Sequence, residues 1–278
     1  MSGEKNLDAA LDRFNEAAAQ WDQEPSTISC TNTISESIKK MNWYASMKNK
    51  KKSEKKLLRA MDFGCGTGFL STKILDPEVF EEIIGVDVAE GMIKAFQEKI
   101  KIMASGVKMA AICSDLGQIN LEILNSYISQ IYNENVDVKK GFDVIYALLA
   151  FHHLKNPEEM LNQVLKENYL NPGGRILIMD YEQEPMKQKF HPVHLVQGKH
   201  YEHDGFVEKM VQDWFKKGNS LMESRKKWDL ESLEITKVPF LKPVNPKWKD
   251  LIPKRKQENH TMLMITCCTN SILNSNSN

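Results

Sequence analysis

The sequence predicts a doubly wound α/β domain on a parallel sheet, and three observations carry that prediction. A short apolar run, Leu57 to Phe63, breaks into Gly64, Gly66 and Gly68 and gives way to a helical pattern (Phe69, Leu70, Ile74, Leu75). That order is strand, glycine turn and helix start, with backbone free to approach a ligand and helix N–H groups left over to bind one. Apolar runs then alternate with amphipathic stretches as far as Asp180, which argues for a sheet covered on both faces. Three runs also close with an acid at or next to the strand end: Asp62, Asp87 and Asp115. Right-handed crossovers bring such ends to one rim, where ligands bind in doubly wound folds.

In chain order, Leu7, Ala10, Leu11, Phe14, Ala17, Ala18 and Trp21 fall at helical spacing and are followed by Pro25. A second helix is expected from about Thr27 to Met47, with Ile28, Ile34, Ile38, Met41 and Tyr44 on its apolar side. The basic run from Lys48 to Lys56 reads as a solvated linker before the first strand. Glu82 to Asp87 is the second strand, Ala89 to Met103 a helix, and Val107 to Cys113 the third strand. Residues 117 to 135 read as helical, and Phe142 to Ala147 is the fourth strand. A helix from about Pro157 to Tyr169 leads through an Asn-Pro-Gly-Gly turn to the fifth, Arg175 to Asp180. Beyond Glu184 the texture changes: 185 to 203 is His-rich and irregular, 204 to 217 helical, 219 to 240 contains a strand, and Thr261 to Cys268 is a final one. The expected division is an N-terminal helical cap and linker over 1–56, a nucleotide-binding-type domain over 57–268 with a lid or acceptor insertion at 185–217, and a disordered Ser/Asn-rich tail over 269–278.

Composition narrows the classes. Of 278 residues, 37 are basic and 37 acidic, so formal net charge is zero and overall polyanion binding is not indicated. The five cysteines form no Cys-x-x-Cys pair, as expected of reduced, packed thiols. With no run long enough to span a membrane and no secretory pattern at the start, the reading is a soluble cytoplasmic protein, the Lys48–Lys56 cluster offering a route for nuclear entry.

The spacing of the glycines selects the ligand. A dinucleotide fingerprint wants Gly or Ala three residues after its second glycine, and Phe69 stands there instead, which sets aside a dehydrogenase. Asp87 lies 19 residues past Gly68, the distance at which an acid meets ribose hydroxyls while rejecting a 2′-phosphate. Asp115 suits an exocyclic amine such as that of adenine, and Asp62 asks for a cationic partner, directly or through water. An amine, a ribose and an adenine without phosphate describe S-adenosylmethionine. Taken singly each aspartate reads as a cap or turn residue; three in register on successive strand ends weaken that reading.

The stretches Asp62-Phe-Gly-Cys-Gly-Thr-Gly68, Gly85-Val-Asp-Val-Ala-Glu-Gly-Met92, Asp115-Leu116, Phe142 to Leu154 and Leu170 to Ile178 together resemble class I S-adenosylmethionine-dependent methyltransferases. The similarity covers roughly residues 57 to 182 and is greatest to small-molecule enzymes of the quinone-biosynthesis branch; Phe14 to Asp22 and His203 to Phe206 resemble that branch too. The resemblance implies a Rossmann-like sheet of seven strands with the last antiparallel. It also implies that Gly64, Gly66 and Gly68 line the methionine part, Asp87 takes the ribose and Asp115 with Leu116 holds adenine, with Cys65, Val88 and Met92 also among the donor-binding residues. Tyr146 is expected to line the same pocket.

Because the donor methyl is already electrophilic, alignment of the acceptor is the main task, and a base is needed only for a protonated nucleophile. His152 and His153, just past the fourth strand, are the best-placed candidates, although the reading of one as a helix cap or as packing against the sheet is the favoured one. The His-x-x-His pairs His191/His194 and His200/His203, with Trp21 and Phe206, are expected at the acceptor pocket; Pro192 interrupts any helix there and no metal is expected. An Asn/Asp-Pro-Pro-Tyr/Phe signature for amino methylation is missing after the fourth strand, where Ala147-Leu-Leu-Ala150 stands. The expected function is therefore methyl transfer to a small molecule at oxygen, sulfur or carbon, with nucleic acid disfavoured. The alternatives are a protein or RNA methyltransferase, or an inactive donor-binding partner subunit.

Overall fold

A computed structural model describes residues 4–49, 56–183, 202–221, 227–242 and 258–270. Helix α1 (Glu4–Ala17) runs into a 3-10 turn (Ala18–Gln23), then α2 (Pro25–Lys40) and α3 (Asn42–Asn49). The α/β part follows as β1 (Leu58–Phe63), α4 (Phe69–Ile74), β2 (Phe80–Asp87), α5 (Glu90–Ile102), β3 (Lys108–Cys113), α6 (Leu121–Tyr132), β4 (Phe142–Leu148), α7 (Pro157–Lys166) and β5 (Leu170–Tyr181). Helix α8 (Glu208–Leu221), β6 (Trp228–Lys242) and β7 (Glu258–Thr269) complete it.

The seven strands lie in the order β3-β2-β1-β4-β5-β7-β6. Strands β1 to β5 pair in parallel, and β7 runs against both of its neighbours, as expected of the final strand. Strand order reverses beside β1, which has β2 on one side and β4 on the other; the crevice above that point is where doubly wound sheets take ligands.

Alternate side chains feed two cores, as the two-residue period of a strand requires. Met61, Ile84, Val86 and Ile145 pack with α6, α7 and α8 through Leu124, Leu161 and Phe215. Ala60, Ile83, Val144 and Leu177 face the other way, toward Ile34 and Ile38 of α2, Tyr44 of α3 and Phe96 of α5. Ile34 and Ile38 are fully buried, each worth about 1.5–3 kcal/mol against exposure, so the N-terminal helices are part of the core and not an appendage.

Arg59 fixes the sheet's opposite end. It is wholly buried, ion-paired to Glu82 of β2, bonded to Asn125 Oδ1 of α6 at 2.8 Å, and stacked 4.2 Å over Phe142. A buried guanidinium demands that many partners.

Several boundaries differ from expectation. The helix foreseen over 27–47 is two helices, broken at Met41, whose ψ of 141° is extended. The Asn-Pro-Gly-Gly turn lies inside β5: Leu170 pairs with Phe142 and Arg175 with Val144, so the residues between are looped out of the ladder. The helix expected over 117–135 begins at Leu121, where Asn120 accepts a bond from the Ile123 N–H and caps it. The tail from 271 on lies outside the described residues.

Candidate active site

The turn after β1 is set by three left-handed glycines, Gly64 (φ +65°), Gly66 (+52°) and Gly68 (+70°). Their surroundings differ. A Cβ on Gly64 would meet that of Ala150 at 2.5 Å, and one on Gly68 would run into the Phe96 ring. At Gly66 the nearest atom is Met92 Sδ, 3.9 Å away, so the space there is open. Gly64 and Gly68 allow close packing, while Gly66 bares its backbone to a cradle.

Asp87 holds that cradle in shape. Its Oδ2 accepts from the Gly66 N–H and its Oδ1 from the Ala89 N–H, both at 2.8 Å. Burial pushes its carboxyl upward, and those N–H groups oppose the shift. Each oxygen keeps a lone pair for another donor. Asp115 is exposed one strand further along; its carboxylate accepts from the Gly117 N–H (2.8 Å) and from Gln118 Nε2 (3.0 Å), shaping its own turn. Val88 and Cys113 are exposed beside it, whereas Leu116, Met92 and Cys65 are buried. Burial raises the Cys65 thiol well above its ordinary range.

Asp62 and Tyr146, opposite one another in the β1–β4 register, lie beneath the turn. Both are buried, and Ser71 links them: its Oγ is 2.7 Å from Asp62 Oδ2 and 2.6 Å from Tyr146 Oη. Tyr146 therefore supports the cradle from below and does not form an open wall.

The N-terminal segment is tied down over this rim. Asn15 Oδ1 accepts from the Gly91 N–H at 2.7 Å, next to the start of α5. Asp22 accepts from the Thr67 hydroxyl in the glycine turn and pairs with Lys99, whose ammonium also donates to the Thr67 carbonyl at 2.7 Å. Phe14 packs edge-on against Trp21 (5.6 Å) and against His153 (5.3 Å).

His152 and His153 occupy a short 3-10 turn after β4. Leu149 leads into it at φ +55°, unusual for a leucine and costing about 1–2 kcal/mol, and its N–H is held by the Met179 carbonyl. His152 is buried and doubly fixed by Asp180 at the end of β5: Nδ1 lies 2.9 Å from Oδ1, and its backbone N–H donates to Oδ2 at 3.0 Å. Asp180 Oδ1 also accepts from the Tyr181 N–H. The His152 carbonyl in turn receives the N–H groups of Glu202 and His203, so the stretch 202–206 lies across it. That stretch is pinned beside β5 by Phe206 N–H to the Tyr181 carbonyl and Gln183 N–H to the Phe206 carbonyl. His203 Nε2 is buried with no hydrogen-bond partner among the described residues, while Phe206 is fully buried against Trp214 in the core. His191, His194 and His200 lie outside the described residues. Among the described residues no group of three or more His, Cys, Asp or Glu is placed to hold a metal.

A family model described as a methyltransferase domain matches residues 7–219. The chain belongs to that family. An uncharacterised methyltransferase of Schizosaccharomyces pombe is 25% identical over 158 residues, 56% of this chain and 51% of its own. Malonyl-[acyl-carrier protein] O-methyltransferase 2 of Ilyobacter polytropus is 28% identical over 121 residues, 44% of this chain and 38% of its own. This methyltransferase domain thus spans about half, or less, of the curated relatives it matches. In fold it is similar to the CurJ carbon methyltransferase, with a TM-score of 0.52, 16% identity and coverage of 92% of this chain and 58% of that one.

The family's methyl donor is S-adenosylmethionine, and the residues present fit it. The cradle is open where Gly66 lacks a Cβ, and an acid with unused lone pairs, Asp87, borders it. Asn15, Asp22, Ser71, Thr67, Lys99 and Asp180 were not foreseen as site residues. Thr67 stands in the glycine motif and Asn15 and Asp22 in the Phe14–Asp22 stretch of the resemblance, while Asp180 shows the acid at a strand end that marked the other three.

Proposed function

We propose that this domain transfers a methyl group from S-adenosylmethionine to a small-molecule acceptor, at oxygen, sulfur or carbon. The observation that carries the reading is the His152–Asp180 pair, set at the rim beside the donor cradle and covered by the chain itself. Phe14 and Trp21 approach from the N-terminal segment, and residues 202–206 from the other side.

The bound donor supplies an electrophilic methyl on a sulfonium. The protein's part is to hold the acceptor in line with it, and orientation with desolvation contributes on the order of 7–11 kcal/mol in ideal cases. Asp180 fixes the His152 ring through Nδ1, and His152 is the residue assigned to take a proton from a hydroxyl or thiol acceptor. Asp180 keeps the ring in the required tautomer and stabilises the imidazolium once formed. His203, whose Nε2 has no partner, is a ready contact for a polar group on the acceptor. That the Ilyobacter relative is by name an O-methyltransferase supports oxygen among the three atoms.

Purified protein incubated with methyl-labelled donor and cell extract tests this directly. Label is expected in the organic, low-molecular-weight fraction and absent without protein. Label confined to protein or RNA would replace the small-molecule reading with a macromolecular one.

A further inference from the structure

Helix α5 starts just past Asp87, which borders the donor cradle, but it brings no cap of its own: Ala89 stands at the cap position and its side chain accepts no bond. Asn15 of α1 fills that role from 76 residues away. Its Oδ1 accepts from the Gly91 N–H at 2.7 Å, the bond to the second helical residue that an asparagine at the cap itself would make. The two residues are also matched in shape. A Cβ on Gly91 would lie 2.9 Å from Asn15 Cα and 3.0 Å from its carbonyl oxygen. Gly91 is not one of the left-handed glycines, so it is close approach of the α1 backbone, and not conformation, that calls for it.

Phe14, next to Asn15, packs edge-on against His153 at 5.3 Å, and the His153 ring lies 4.0 Å from that of His152. One peptide step therefore joins a bond at the start of α5 to a contact on the histidine turn after β4. Among the described residues the segment's apolar seat is a small cluster apart from both sheet cores: Ala18, Ala89 and Met92, with Leu11, Phe14 and Trp21 around them. Glu24, extended at ψ 124°, separates the segment from the core helix α2. With so little buried apolar surface, polar ties weigh heavily in its placement, and Asn15 and Asp22 supply them.

We infer that Asn15 is a positioning residue for methyl transfer: by capping α5 from α1 it sets Phe14 against His153 and holds the histidine turn in register with the donor cradle. The inference rests on the methyltransferase reading and deepens it by naming the residue that couples the donor side to the acceptor side. Asp87 keeps its own bonds to the Gly66 and Ala89 N–H groups without Asn15, so donor affinity is expected to survive its loss.

Two substitutions separate the bond from the shape. Asn15→Leu keeps the size of the side chain and removes the acceptor, whereas the carboxylate of Asn15→Asp accepts the same N–H. Each is assayed by calorimetric titration with S-adenosylhomocysteine and by initial rates of label transfer from methyl-labelled donor to cell extract, with donor concentration varied. In Asn15→Leu the maximal rate is expected to fall about 10–100-fold. Its donor affinity should stay within about threefold of the parent's, and its melting temperature should drop by about 2–4 °C for the lost cap. Asn15→Asp is expected to recover most of the rate. Gly91→Ala, which favours a helix by itself but pushes α1 away, should reproduce the fall in rate without the fall in melting temperature. A maximal rate in Asn15→Leu within twofold of the parent's, an Asn15→Asp variant as slow as Asn15→Leu, or a loss that vanishes at saturating donor overturns the inference and leaves the methyltransferase reading standing. A parent that transfers label to no fraction of the extract overturns both.

Discussion

Asp180 grips His152 at two points, the backbone N–H and the imidazole Nδ1, and so fixes both the turn after β4 and the ring that the turn presents. Asp180→Asn preserves shape while losing the charge that supports an imidazolium. Methyl transfer to a hydroxyl acceptor is expected to fall about 10²–10⁴-fold, beside a stability loss of about 1–3 kcal/mol because the new amide nitrogen faces an N–H donor that Asp180 satisfies. The loss should shrink as pH rises and the acceptor ionises unaided; a loss of activity that tracks a loss of stability, flat across pH, would assign the pair to structure.

Asp22 links the N-terminal segment to the glycine turn through Thr67 and to α5 through Lys99. Both partners of the ion pair are partly exposed, so most of its worth lies in positioning and is screened by salt. Asp22→Ala is expected to weaken donor binding roughly tenfold, or about 1.4 kcal/mol, at low ionic strength and less at high. Calorimetric affinities unchanged from the parent's would show that the segment covers the cradle without shaping it.

Gly66 and Gly68 separate ligand binding from folding. Alanine at either adopts a left-handed backbone at about 1–2 kcal/mol. At Gly68 the new methyl also strikes Phe96, and a total on the order of 2–4 kcal/mol of stability is expected to go. At Gly66 the methyl enters open space, so Gly66→Ala should fold yet lose at least about tenfold in donor affinity. Urea melts paired with donor titrations distinguish the two; equal loss of stability in both variants would refute the distinction.

Asp62 sets a pH dependence of stability. Burial pushes its carboxyl up to about 8 in the folded state, above the unfolded value of about 3.9, so between the two the folded state binds more protons. The contribution is therefore most favourable below about pH 4, declines as pH rises, and is lost above about 8. Ligand-free Asp62→Asn should gain in melting temperature relative to the parent as pH goes from 5 to 8. A gap between the two proteins that stays constant over that range would contradict the shift.

Much of this was legible in the sequence because it is written in local pattern. Strand, glycine turn and helix follow one another within a dozen residues, and acids at strand ends mark a rim whatever the loops do. The helix break at Met41 was invisible because apolar spacing continues through it; the loss of helix there is seen only in the backbone. The contacts of Asn15, Asp22 and Lys99 were illegible for a different reason, although the first two lie in the Phe14–Asp22 stretch that the resemblance covers. Their partners lie 32 to 77 residues away, and nothing in a polar side chain announces which distant group it will meet. Asp180 was in plain view at the end of a predicted strand, but its role depends on His152, 28 residues earlier.

The position of β7 in the sheet has a consequence for biosynthesis. It lies between β5 and β6, pairing Met179 with Met264 and Asp180 with Leu263. During translation the first five strands can assemble in parallel, but β5 keeps an unpaired edge until residues 258–269 have left the ribosome, and β6 has no strand to pair with before then. Asp180, and through it His152, acquires its final backing only at that point. A ribosome stalled before that point would hold a chain with a finished glycine turn and an open apolar edge, a species suited to chaperone capture or aggregation.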